Sequence, residues 1–252
     1  MNRKNWLRKL FLEGKIMFTQ ETMNLKTFLG TLLVIYLFFI YLCLYVFVFH
    51  VDKLHVSKQF LFMYKIGFFS IFYLFVFEWF ATYSSIDNEG IIAIHYQVIE
   101  RYISEKIKAK YLLSLFHSLI HFILLTILAI VIEITENIFA FIFLLLPMIV
   151  MGGVSSVFSS MVFPRFDWLE ITDIPTKKNY AAMGMIYCLW LSMATGISSQ
   201  VVHSKSFYFF IFLYWFLTII VIVLLVRVSP IVLKEKLFLT LRTDEEGKNV
   251  KN

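Results

Sequence analysis

Six long runs of apolar residues, separated by short polar segments, dominate the pattern along this chain. They cover 28–49, 60–81, 111–132, 138–163, 180–202 and 207–226. A helix needs about 20 apolar residues to cross roughly 30 Å of hydrocarbon, and each run meets that length. The apolar residues are continuous rather than alternating, which excludes the period-two pattern of membrane-spanning strands. The pattern therefore predicts an all-α membrane protein with six transmembrane helices. The fourth run is interrupted by Pro147 and the pair Gly152-Gly153. Small residues in a span mark close helix packing. The second run carries Lys65 and Glu78. The uncharged stretch between them covers only about 18 Å at about 1.5 Å per residue, so at least one of them sits within a helix end with its charge snorkelling outward.

The polar segments set the remaining architecture. Residues 1–26 interleave Trp6, Leu7, Leu10, Phe11 and Met17 with Arg3, Lys4, Arg8, Lys9 and Lys15. That is the pattern of an amphipathic interfacial helix lying in the headgroup plane. The first apolar run is too long for a signal-peptide core. Residues 27–230 form the six-helix domain, and 231–252 a cytoplasmic C-terminal tail, with 243–252 expected to be without regular structure. Of the 23 Lys and Arg residues, only Lys53, Lys58, Lys65 and Lys205 fall on one side of the predicted bundle. Positive charge collects in cytoplasmic loops, so both termini are cytoplasmic. The outer loops, 50–59, 133–137 and 203–206, are short, whereas the inner ones, 82–110 and 164–179, hold most of the polar residues.

Composition agrees with this layout. The chain is 60% hydrophobic and 16% charged, against about a quarter charged in a typical soluble domain, and its mean hydropathy is +0.79. The 29 Phe and 13 Tyr suit lipid-facing helices and interfacial belts. The net charge of +6 follows from the inner loops and anionic headgroups, and no nucleic-acid partner is implied. Cys43 and Cys188 both lie within apolar runs and read as small hydrophobes rather than a disulfide or metal pair.

Motifs for chemistry on this chain are few. There is no phosphate-binding GxxxxGK[ST] loop, no HExxH and no GxSxG, so no catalytic residue and no metal site is assigned. His117 and His121 stand four apart on the third run and share a helical face. Together with the intramembrane Glu78 they are the candidates for a translocation path. In the first inner loop, Asp87, Glu89 and Gly90 precede a mostly apolar segment, 91–99, that continues into Glu100 and Arg101. This reads as a short helix at the membrane face, able to carry force from a soluble partner. The second inner loop opens with Phe163-Pro164-Arg165-Phe166-Asp167-Trp168. Its prolines stop helix continuation, and its aromatic residues suit an interfacial anchor.

These loops resemble those of ABC-2-type transporter permease subunits of Gram-positive bacteria. There, a Ser-x-x-x-Glu-Gly-like segment follows the second span, a Pro-Ile-Ser-like turn and an Ala-Lys dipeptide open the third, and a Phe-Pro-Lys-Phe-Asp-Trp-like motif follows the fourth. The matching residues here are Ser85 to Gly90, Ile103-Ser104, Ala109-Lys110, and Phe163 to Trp168. Arg101-Tyr102 stands where the family has Leu-Pro, and Leu169-Glu170 where it has Asn-Pro. Many relatives contain two six-helix halves, and this chain resembles one of them. The resemblance implies an exporter subunit in the bacterial plasma membrane, similar to half-size permeases for peptides or amphipathic toxins of the phenol-soluble-modulin kind. It also implies a second permease copy, in a homodimer or heterodimer, and a separate ATP-binding cassette subunit that binds ATP and Mg, with no cofactor on this chain. The ATPase-coupling residues would be Asp87, Glu89, Gly90, Glu100, Arg101, Arg165, Phe166, Asp167 and Trp168. A second class stays open on the residues alone: a non-transporting membrane immunity, sensor or assembly subunit.

Overall fold

A computed structural model describes the backbone of residues 25–46, 57–85, 100–131, 137–164, 181–199 and 204–249, and side chains over most of these stretches. The described chain consists of six helices: α1 (Leu25–Cys43), α2 (Lys58–Ser84), α3 (Glu100–Val131), α4 (Ile138–Val162), α5 (Ala181–Ser198) and α6 (Lys205–Asn249). Among the described residues there is no strand. Four of the helices, α2, α3, α4 and α6, are long and apolar enough to cross a membrane. α1 and α5 are apolar but shorter, with 19 and 18 residues, or about 27–28 Å at the helical rise. The protein is membrane-associated on this ground. The N-terminal segment 1–24 and the loop residues 86–99 and 165–180 lie outside the described residues.

Paired contacts give the helix directions. Phe39 packs on Phe68 and Phe69 while Tyr36 packs on Phe72, so α1 runs opposite to α2. Phe69 meets Phe141, and the Tyr73 hydroxyl meets the Ile149 carbonyl, so α2 and α4 run the same way. The helices α2, α4 and α6 begin with the same device. The side chains of Ser57, Asn137 and Ser204 accept hydrogen bonds from the backbone N–H groups of Phe60, Ala140 and Phe207. Each satisfies one of the N–H groups that a helix start leaves without an internal partner.

α4 is the core of the bundle. Two thirds of its span, 67%, is buried, against 11% for α6, and it packs on α2, α3, α5 and α6. Its small residues explain this placement. A Cβ on Gly152 would stand 2.7 Å from the Tyr73 ring and 3.1 Å from the Tyr187 ring, and one on Gly153 would collide with Ser118. The glycine pair therefore lets α2, α3 and α5 close on α4, as the sequence pattern implied.

Two boundaries differ from the sequence-based expectation. The third span was expected to start at 111, after a turn at Ile103-Ser104. Instead α3 is one helix from Glu100 to Val131, with Ile103 and Ser104 inside it. No Pro or Gly occurs over this stretch. Tyr102 keeps the N–H that a proline would remove, so nothing interrupts the helical ladder. At the other end, the tail expected after Pro230 is a continuation of α6, which passes through Pro230 and reaches Asn249.

Pro147 also lies within a helix, α4, and frees the carbonyl of Phe143 four residues back. In a bilayer a bare carbonyl is costly. Trp215 of α6 supplies the missing donor, its Nε1–H reaching the Phe143 oxygen at 3.0 Å. We expect Trp215→Phe to destabilise the detergent-solubilised protein by about 0.6–1.7 kcal/mol, from the average to the maximum for hydrogen bonds between membrane helices. The loss should vanish in a Pro147→Ala background, where the residue 147 N–H can return to Phe143. A double-mutant cycle on thermal unfolding midpoints measures this coupling.

Candidate functional site

The polar residues within the bundle form a seam around α4. On α3, Ser114, His117, Ser118 and His121 fall on one face, since residues three and four apart are neighbours, and all four are buried. Gly153 of α4 stands against Ser114 and Ser118, and Gly152, Ser155, Ser156, Ser159 and Ser160 of the same helix are buried as well. The Ser114 Oγ donates to the Gly153 carbonyl at 2.7 Å. Tyr73 of α2 enters the same junction. Its hydroxyl donates to the Ile149 carbonyl at 2.8 Å and lies 3.0 Å from the Ser118 Oγ. A phenol has one proton, so Ser118 is the donor in the second bond. The Tyr187 hydroxyl, from α5, donates to the Ser70 carbonyl at 2.7 Å, and the Ser70 Oγ donates to Ile66 within α2. A further chain runs from Trp190 Nε1 to Thr218 Oγ1, and from there to the Tyr214 carbonyl, tying α5 to α6.

The two histidines predicted from the sequence both belong to this seam. The His121 Nδ1 shares a 2.9 Å hydrogen bond with the Tyr36 hydroxyl of α1, and the Tyr73 ring approaches it edge-on at 6.2 Å. His121 is thus the point where α1, α2 and α3 meet. His117 is buried one turn away beside Phe116. Among the described residues no group of three His, Cys, Asp or Glu is placed to hold a metal ion, and His121 serves as a hydrogen-bonding group between α3 and α1.

Glu78, Glu100 and Arg101 lie within α2 and α3 by their backbones, and their side chains are outside the described set. Asp87, Glu89, Gly90, Arg165, Phe166, Asp167 and Trp168 fall outside the described residues altogether. The seam is therefore built from His117 and His121 plus Tyr36, Ser70, Tyr73, Ser114, Ser118 and Tyr187, which the sequence reading had not singled out. One signal for them existed: serines at 114 and 118 share the spacing of the two histidines. The tyrosines gave none, because a Tyr in an apolar run looks the same whether it faces lipid, the interface or a neighbouring helix.

Chemically the seam offers hydroxyls, imidazoles and backbone carbonyls. The carboxylates with described side chains are Glu105 and Glu235, both outside it. Its groups bond one another across the helices, with no fixed charge supplied by the described side chains. No known protein family, curated protein or solved structure matches the chain.

Proposed function

We propose that the chain is the membrane subunit of an ATP-driven exporter, with ATP bound and hydrolysed by a separate cassette subunit. In this reading all six helices span the plasma membrane of a bacterium, both termini are cytoplasmic, and residues 1–26 lie in the inner headgroup plane. Two permease copies form the transport unit, and the cargo is a peptide or another amphipathic molecule. The observation that carries the reading is the continuity of α3. One unbroken helix starts at Glu100, downstream in sequence of the Asp87–Gly90 segment that resembles a coupling loop, and reaches Ser114, His117, Ser118 and His121. A helix of 32 residues without Pro or Gly is stiff, so a push on its loop end shifts the polar seam rather than being absorbed in a turn. The Phe163 to Trp168 motif, directly after α4, gives the central helix a second contact for the same partner.

The test is purification of the full-length protein with its native complex, followed by mass spectrometry. A cassette ATPase should copurify, and its hydrolysis should be stimulated by this chain. Phe166→Ala/Trp168→Ala should remove most of that stimulation. Unchanged association after Asp87, Glu89 and Asp167 are all replaced by Ala would refute the assigned docking residues. Absence of any cassette partner would favour the non-transporting immunity or sensor reading.

A further inference from the structure

In hydrocarbon an apolar side chain gains little by leaving lipid for protein, so membrane helices are held by close packing and by the hydrogen bonds between them. Five of the six helices here have both. α2, α3, α4, α5 and α6 approach one another backbone to backbone, and α1 takes part in no comparable approach among the described residues. Where α4 meets its neighbours, Gly152 and Gly153 leave no room for a Cβ, whereas a Cβ on Gly30 of α1 would meet nothing within 4 Å. α1 is attached through long side chains instead. The rings of Phe39 and Phe72 stack with their centres 3.5 Å apart, and Phe39 also lies against Phe68 and Phe69. The Tyr36 ring meets Phe72 edge-on, and its hydroxyl shares the 2.9 Å bond with the His121 Nδ1. Phe39 and Cys43 are buried, one helical turn apart, while Leu33, Val34, Leu37, Phe38 and Tyr41 are 56–64% exposed. The stripe that α1 buries is therefore narrow.

That stripe meets the polar seam. His121 is buried with α1 in place, and the Tyr73 ring stands edge-on to it, its hydroxyl bonded to Ser118 and to the Ile149 carbonyl. The bonds that join α2, α3 and α4 here involve no residue of α1, so they stay made if α1 leaves. We infer that α1 is a detachable strap: it parts from α2 and α3 while the other five helices remain packed, and its departure opens the His121 end of the seam to the membrane. Acyl chains can replace much of the aromatic contact that Phe39 loses, because lipid is as apolar as the ring. They cannot replace the Tyr36–His121 hydrogen bond, which makes that bond the latch. The inference requires membrane insertion only and is independent of the proposed export activity.

The two cysteines test it, since Cys43 of α1 is buried and Cys188 of α5 is exposed. The full-length protein in detergent is treated with N-ethylmaleimide, and the rate at each cysteine is read by peptide mass spectrometry. Labelling of Cys43 then reports the population in which α1 has parted from the bundle. In the wild type it should proceed below the unfolding transition and change little with denaturant, because releasing one helix exposes little surface to water. Tyr36→Phe should accelerate it about threefold or more, the population change that an average hydrogen bond between membrane helices corresponds to. Tyr187→Phe removes a bond between α5 and α2 that stays made when α1 leaves, so it should not change the Cys43 rate. Cys188 should label at one rate in all three proteins. Cys43 labelling that follows global unfolding alone, equal acceleration by the two substitutions, or no response to Tyr36→Phe would each overturn the inference.

Discussion

Replacing Gly153 with Val is expected to destabilise the protein by about 3 kcal/mol or more, at the top of the range for overpacking a membrane or soluble core. Any Cβ at this position collides with the Ser118 Oγ and stands 3.3 Å from the backbone carbonyl of Ser114. The Ser118 side chain is short and already bonded to Tyr73, so moving it aside breaks the Tyr73–Ser118 contact. The Ser114 carbonyl belongs to the α3 backbone and can yield only if the whole helix withdraws. Withdrawal would also cost the Ser114–Gly153 hydrogen bond. The comparison that makes this specific is Gly184→Ala and Gly67→Ala. Both glycines are in helices, and a Cβ on either meets nothing within 4 Å. Those changes should stabilise by about 0.5–1 kcal/mol through reduced chain entropy. Thermal unfolding midpoints of the detergent-solubilised variants should therefore move in opposite directions. A Gly153→Val protein that melts with the wild type would show that α3 and α4 are not packed at this distance.

Tyr187 carries the second large effect. It is fully buried, its ring lies against the space above Gly152, and its hydroxyl donates to the Ser70 carbonyl. Truncating a buried aromatic residue costs about 3–5 kcal/mol in soluble cores. In lipid, part of that figure is absent, because moving an apolar side chain from protein to hydrocarbon carries no hydrophobic driving force. The cavity and the lost dispersion contacts remain, so about 3 kcal/mol is expected for Tyr187→Ala. Tyr187→Phe removes the hydroxyl alone and should cost about 0.6 kcal/mol, the average for a hydrogen bond between membrane helices. The Ser70 carbonyl retains its helical bond, which keeps the loss small. The ratio between the two variants decides what holds α5 in place. Comparable losses would mean that the hydrogen bond dominates; a severalfold difference would assign the stability to packing. Chemical denaturation in mixed micelles, with circular dichroism as the probe, distinguishes these outcomes.

Both predictions depend on α4, and the sequence marked that helix only in part. Its glycine pair and Pro147 were legible as places of close packing and broken backbone bonding. Trp215, the residue that supplies the Phe143 carbonyl with a donor, was not. Nothing local to residue 215 in α6 indicates that Pro147 of α4 lies beside it. The same holds for Tyr73, whose one hydroxyl joins α3 and α4.

The order of apolar and polar residues along this chain determined its class by itself. Backbone groups in hydrocarbon must be satisfied within the segment, so long continuous apolar runs can only be helices, and their helical character was settled before any contact formed. Helix starts were set locally too, by Ser57, Asn137 and Ser204, because a cap needs only the next three residues. The tertiary structure decided which faces turn inward. Apolar residues cover every side of these helices, so the sequence holds little periodic signal to separate a lipid-facing face from a buried one. The choice fell to small residues and hydroxyls that permit close approach or demand a partner: Gly152 and Gly153 against three helices, and Ser114, Ser118 and His121 against Gly153, Tyr73 and Tyr36. These are relations between residues far apart in the chain, and they exist only once the helices are packed.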